Sequence, residues 1–160
     1  MLIATSDFVK DFKVGDLNGD QKSDIIGVVE VSPGVTNLIL VNNNSVGSLS
    51  FQSPIYILPG GTRPNLIELA DINRDGRSDI VIANLNGTIS VLLNTSNLSS
   101  VTFSSPFTFN TATGASIIAI ADLDGDGKPD IITGNGSGLL NTSTGNQISF
   151  SLFSFPQSII

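Results

Sequence analysis

Asp71-Ile-Asn-Arg-Asp-Gly-Arg-Ser-Asp79 runs directly into Ile80-Val-Ile-Ala-Asn-Leu-Asn-Gly87-Thr-Ile-Ser-Val-Leu-Leu-Asn94. The first nine residues set side-chain oxygens at positions 1, 3, 5 and 9 of one tight turn. So many hard oxygens in so short a span repel one another unless a hard cation sits among them, and calcium is the cation that such oxygen sets suit. The run after position 9 is too rich in Ile and Val to keep one wet face, which marks a strand covered on both sides. Asn86-Gly87 then predicts a type I′ hairpin leading into a further strand over 88–94.

The same frame stands once before and once after. Asp16-Leu-Asn-Gly-Asp-Gln-Lys-Ser-Asp24 leads into Ile25-Ile-Gly-Val-Val, and Asp122-Leu-Asp-Gly-Asp-Gly-Lys-Pro-Asp130 leads into Ile131-Ile-Thr. Equivalent aspartates lie 55 and then 51 residues apart, a period that signals a repeat architecture. A short apolar segment precedes each loop, at 12–14, 66–70 and 117–121. In the second copy a Ser/Asn-rich turn at 95–100 leads to a fourth strand over 101–109, which Pro106 marks as an edge. The first copy has a longer hairpin around Ser32-Pro33-Gly34, then strands at 38–41 and 50–58. The third has Asn135-Gly136 and a clipped strand near Leu139-Leu140.

Four antiparallel strands in roughly fifty residues, repeated, describe propeller blades. No stretch carries a sustained helical stripe, and Gly, Asn, Ser and Thr punctuate the chain throughout. The expected fold is all-β: one domain over 1–160, with three four-stranded antiparallel blades at about 12–65, 66–116 and 117–160. A closed propeller ordinarily has at least about four blades. Three leave two apolar faces open, so the chain is expected to be a piece of a larger ring, to self-associate and complete one, or to stack as an open array.

The 160 residues, 40% apolar and 13% charged, suit a folded domain with a sizeable core. The net charge of −7 is local: loop one contributes −2, loop two −1 and loop three −3. Three divalent cations would leave the chain nearly neutral. Four of the seven basic residues lie inside the loops, so no positive surface is left for a phosphate backbone and nucleic acid is not an expected partner. No apolar run approaches a membrane span, and the N-terminus lacks a basic region followed by a long apolar stretch. There is no cysteine for disulfides or thiolate sites, and no histidine for general-base or transition-metal chemistry.

An Asp/Asn/Gly cluster can be an ordinary solvated turn. Three copies in one frame, each followed by an aliphatic strand, argue for metal instead. An EF-hand loop needs a carboxylate at position 12, where this chain has Gly27, Ile82 and Thr133. The ninth-position aspartate closes the shell in its place.

These loops resemble those of the FG-GAP/VCBS-type repeats, the calcium-loop propeller blades found in the integrin α-subunit head and in many bacterial surface proteins. The shared part is Asp-x-Asn/Asp-x-Asp-Gly-x-x-Asp followed by Ile-Ile or Ile-Val, and 84–94 is similar to the family's second hairpin. The resemblance implies one calcium ion per loop, three in all. By position, the ligands would be Asp16, Asn18, Asp20, the carbonyl of Lys22 and Asp24; Asp71, Asn73, Asp75, the carbonyl of Arg77 and Asp79; and Asp122, Asp124, Asp126, the carbonyl of Lys128 and Asp130. The Phe-Gly and Gly-Ala-Pro signatures that name the family are absent, which points to its looser bacterial form. Loop one has Gln21 where the turn glycine is expected, a strain if the left-handed geometry is kept. Loop two carries Arg74 within the ring and loop three a fourth carboxylate, so loop three should bind most tightly.

The resemblance also implies an extracellular, cell-surface or periplasmic setting. The expected function is a non-enzymatic calcium-binding scaffold for protein or glycan binding and adhesion. The alternative is an accessory or catalytic part of a carbohydrate-active enzyme such as a polysaccharide lyase. Against it, Glu30 and Glu68 are the only glutamates. Glu68 as a buried acid is less economical than Glu68 as a paired strand residue. With no tryptophan and only Tyr56, a sugar-stacking face is poorly supplied, and the nine phenylalanines read as core between blades.

Overall fold

Each aliphatic run that follows a loop becomes the second strand of a four-stranded sheet. The computed structural model describes residues 8–32, 35–111, 114, 116–134 and 136–155, so the predicted turn residues Pro33, Gly34 and Asn135 lie outside it. The first sheet comprises β1 (Phe8–Gly15), β2 (Asp24–Ser32), β3 (Val35–Val41) and β4 (Ile55–Ile57). The second comprises β5 (Pro64–Ala70), β6 (Asp79–Asn84), β7 (Thr88–Leu92) and β8 (Phe107–Asn110). The third comprises β9 (Ile118–Ala121), β10 (Asp130–Thr133), β11 (Ser137–Asn141) and β12 (Phe150–Ser154). All three are antiparallel meanders in chain order, and they do not close into a ring. No helix occurs among the described residues, and none is therefore long and apolar enough to cross a membrane.

Each nine-residue loop joins the first strand of its sheet to the second. The residue before the loop pairs with the ninth aspartate: Gly15 with Asp24, Ala70 with Asp79, and Ala121 with Asp130. The ninth aspartate thus belongs to strand as well as loop, and the sheet register holds it in place.

The hairpin between β6 and β7 differs from the sequence expectation. Asn84 pairs with Thr88, which leaves three connecting residues, Leu85, Asn86 and Gly87. Gly87 N–H donates to Asn84 O at 3.2 Å, and Gly87 has φ of 84° while Asn86 stays at negative φ. This is a type I turn followed by a left-handed glycine, not a two-residue type I′ turn. A two-residue turn would slip the register by one and send Ala83 and Ile89 away from the core that both now enter.

All six residues of β6 are buried, because its sheet is covered on both faces. Its front face, with Ile67, Leu69, Ile80 and Leu92, packs on Leu17, Ile26, Val28, Leu38 and Leu40 of the first sheet. Its back face, with Ile72, Val81, Ile89 and Val91, receives Ile118, Ile120, Ile131 and Leu139 from the front of the third. Each fully buried aliphatic side chain contributes about 1.5–3 kcal/mol, so these two joints hold most of the apolar stabilisation. Phe109 and Phe150 meet edge to face across the second joint, with centroids 4.9 Å apart. The inner strands are also tied: Ile67 N–H donates to Asp11 Oδ2 at 3.0 Å, and Lys13 pairs with Glu68 at 2.9 Å.

Candidate metal centre

The three loops wind alike although their sequences differ. In each, Oδ2 of the first aspartate accepts the N–H of position 6: Gln21 and Gly76 at 2.8 Å, Gly127 at 2.9 Å. Position 3 accepts from position 5 at 3.1–3.2 Å, and position 5 accepts from position 7 at 2.8–3.0 Å. To aim these N–H groups inward the backbone turns left-handed at positions 4 and 6 in every copy. Gly19 and Gln21 have φ of 82° and 66°, Arg74 and Gly76 61° and 86°, and Gly125 and Gly127 80° and 82°. Gln21 therefore keeps the strained geometry expected of it. Arg74 carries the same strain, which a search for glycine at position 6 alone overlooks. Among the three, loop three alone has glycine at both turns.

The ninth aspartates are the buried members. Asp24 and Asp79 are 0% exposed and Asp130 is 1%. One oxygen of each accepts the N–H of position 2: Leu17 at 3.0 Å, Ile72 at 2.9 Å and Leu123 at 2.8 Å. Burial pushes the Asp79 carboxyl up to about 6 in the metal-free chain, against the lowering effect of the N–H groups of Asn94 and Ile72. Burial likewise raises Asp24. Among the described residues no basic side chain pairs with any of the three carboxylates.

In loop three the oxygens converge. Asp122, Asp124 and Asp130 each bring a carboxylate oxygen to within 4.8 Å of the others, so this cluster can hold a metal ion. The donors are all hard oxygens, which fits calcium and does not fit a soft metal. Asp126, the fourth carboxylate, turns its outer oxygen to Lys128 Nζ at 2.9 Å, and this hydrogen bond holds its carboxyl below the usual range. At the equivalent positions loops one and two have Asp16, Asn18 and Asp24, and Asp71, Asn73 and Asp79, so the asparagine at position 3 leaves each with two carboxylates there.

Position 7 carries a second feature that its use as a carbonyl ligand did not suggest. Its basic side chain reaches back to the position 5 carboxylate in every loop: Lys22 to Asp20 at 3.8 Å, Arg77 to Asp75 at 2.6 Å and Lys128 to Asp126. In loop two Asn73 Nδ2 also donates to Asp75 Oδ2 at 3.0 Å and to Asn146 Oδ1 of the third sheet at 2.8 Å. Arg74 leaves its own ring: a Cβ built on Gly127 would lie 3.3 Å from its Nη1, so its guanidinium borders loop three.

Sequence reasoning missed one set of residues, the asparagines at and after the end of the third strand. Asn94 N–H donates to Asp79 Oδ1 at 2.8 Å, while its side-chain amide donates to Leu17 O of the preceding sheet and to Ser78 O, both at 2.9 Å. Asn141 repeats this: N–H to Asp130 Oδ1 at 2.7 Å, and amide to Ile72 O and Pro129 O, both at 3.0 Å. Asn43 N–H donates to Asp24 Oδ1 at 2.8 Å. A single hydrogen-bonded relay therefore runs through all three loops. Each ninth aspartate clamps position 2 of its own loop, and in loops one and two the position 2 carbonyl is held by the asparagine of the next sheet.

The FG-GAP-like repeat family matches the chain twice, over residues 16–82 and 71–133. Together these spans cover well over half of the sequence. The chain belongs to the FG-GAP-like repeat family. Each matched span opens on the first aspartate of one loop and closes on the buried strand after the next, at Ile82 and Thr133, so the unit recognised is a loop, its blade and the following loop. A search of curated proteins and of solved structures returned no match. FG-GAP-like repeats and three open four-stranded sheets together define a β-propeller-like repeat scaffold.

Proposed function

We propose that this chain is a non-enzymatic, calcium-stabilised scaffold that works outside the cytoplasm and presents its loops to a protein or glycan ligand. The observation that carries the calcium reading is the convergence of Asp122, Asp124 and Asp130, with Asp130 buried and no basic side chain among them. Calcium bound there would offset two of the three negative charges and hold the loop against the strand. Loops one and two share the winding and are read as further calcium sites of lower affinity, with Asp16, Asn18, Asp20, the Lys22 carbonyl and Asp24, and Asp71, Asn73, Asp75, the Arg77 carbonyl and Asp79 as their ligands.

The role of the ion is structural. Extracellular calcium modules bind at roughly 10⁻⁴–10⁻³ M, and a tenfold excess over the dissociation constant stabilises by about 1.4 kcal/mol per site. Both glutamates serve in ion pairs, Glu68 with Lys13 at 2.9 Å and Glu30 with Lys10 at 3.1 Å, which supports a scaffold over an enzyme. Family membership supports the extracellular setting and the adhesive role. Titration calorimetry with calcium, before and after EDTA, tests the reading. One to three sites with the strongest lost in Asp124→Ala is the expected result, and no heat of binding at millimolar calcium would overturn it.

A further inference from the structure

The relay ends on two unmatched groups. At one end, the Asn43 side-chain amide donates to nothing among the described residues, although Asn94 and Asn141 each donate to a preceding loop. At the other, the Leu123 carbonyl accepts from nothing among the described residues, although those of Leu17 and Ile72 are held by the following sheet.

The apolar surfaces break off at the same two places. By sheet register, Phe12, Val14, Ile25 and Val41 of the first sheet occupy the positions of Ile67, Leu69, Ile80 and Leu92 in the second. Phe12 and Val14 are 59% and 55% exposed where Ile67 is 0%, and Phe12 borders an apolar groove of about 340 Å³ that Ile25, Ile39 and Val41 also line. On the third sheet, Leu123 is 43% exposed, whereas its counterparts Leu17 and Ile72 are each 1% exposed beneath the next sheet.

We infer that the front of the first sheet receives the back of the third sheet of a second copy, with Asn43 Nδ2 donating to the partner's Leu123 carbonyl oxygen. The chain itself contains two joints of this design, and the open ends present the two halves of a third. The contact is head to tail, so it buries different surfaces on the two copies. Two copies joined at both ends make six blades, within the range of closed propellers. The acceptor is a main-chain oxygen, so that hydrogen bond depends on how loop three is wound, while the Leu123 side chain supplies apolar contact as Leu17 and Ile72 do.

Sedimentation velocity in calcium buffer tests this on the full chain. The wild-type protein is expected to exceed its 16.7 kDa monomer mass, with a dimer as the main species. Asn43→Ala should weaken the dimer about 25-fold to 100-fold, since one hydrogen bond is lost at each of its two joints. Phe12→Lys and Leu123→Lys, both at exposed positions, should each be impaired alone but should associate on mixing, because one intact joint remains between them. A wild-type monomer at about 100 µM would overturn the inference, that being far above the dissociation constant of any stable interface. So would a Phe12→Lys chain of unchanged mass, or failure of the two lysine variants to complement. If the front face instead paired with a second front face, Leu123→Lys would dimerise normally by itself, which also overturns it.

Discussion

Asn141 donates from its side-chain amide to the main-chain oxygen of Ile72 at 3.0 Å, joining residues 69 positions apart and two different sheets. Asn94 does the same to Leu17 at 2.9 Å, 77 positions away. These amides make the loops the fastening points between sheets as well as candidate ion sites.

Asn94→Ala removes donors to Leu17 O and Ser78 O at a site only 1% exposed. Leaving buried carbonyls unpaired is expected to cost about 2–3 kcal/mol, read as a lower urea midpoint with an unchanged slope. Asn43→Ala, whose amide has no partner among the described residues, should stay within about 0.5 kcal/mol when the protein is dilute and monomeric. Equal losses at the two positions would contradict the relay.

Gln21 holds a left-handed φ of 66° that glycine adopts freely. Gln21→Gly is expected to stabilise the chain by up to about 1 kcal/mol, since relief of backbone strain outweighs the added freedom of the unfolded state. Gly127→Ala, at φ of 82°, should destabilise by about 1–2 kcal/mol. Thermal melts in EDTA separate this backbone effect from any change in metal affinity.

Asp130 contributes to the gathered oxygens of loop three and accepts N–H groups from Leu123 and Asn141. In Asp130→Asn the calcium-dependent rise in melting temperature should shrink, with a smaller fall in EDTA from the lost acceptor. A variant that keeps the full calcium increment would remove loop three as the strongest site.

Asp79 has a folded-state carboxyl value of about 6 in the metal-free chain, against 3.8 as the ordinary value. The folded state therefore holds its proton more tightly than the unfolded chain does. That contribution is present below about pH 3.8 and is lost as pH rises to about 6, a difference of at most roughly 3 kcal/mol. In EDTA, the stability of wild type relative to Asp79→Asn should fall over this window and flatten above it. Bound calcium favours the ionised form and should suppress the slope. Urea midpoints at half-unit pH intervals would show the trend, and a relative stability rising with pH would exclude it.

The loops, their following strands and the all-β repeat were legible because every copy writes its oxygens and its Ile-rich run in one frame. The asparagine relay was not. Asn43, Asn94 and Asn141 stand nineteen, fifteen and eleven residues after the ninth aspartate, because the intervening hairpins differ in length. Only strand pairing brings them to equivalent places, and Asn94-Thr-Ser96 read by composition alone looks like an incidental triplet. Asn86-Gly87 misled for a related reason: the pair favours a type I′ turn locally, and the depth at which Ala83 and Ile89 are buried selects the longer one. Three carboxylates gather at positions 1, 3 and 9 in loop three because position 3 is Asp124 there, where the other loops have Asn18 and Asn73, a difference the sequence does write.

Because the asparagine of one sheet grips a peptide oxygen of the sheet before it, the grip is indifferent to which amino acid supplies that oxygen; Leu17 and Ile72 serve equally. Any unit wound in the same manner is an acceptable neighbour. Such modules can be duplicated, deleted or exchanged whole without redesigning the seam, a route by which arrays of different length arise from one pattern.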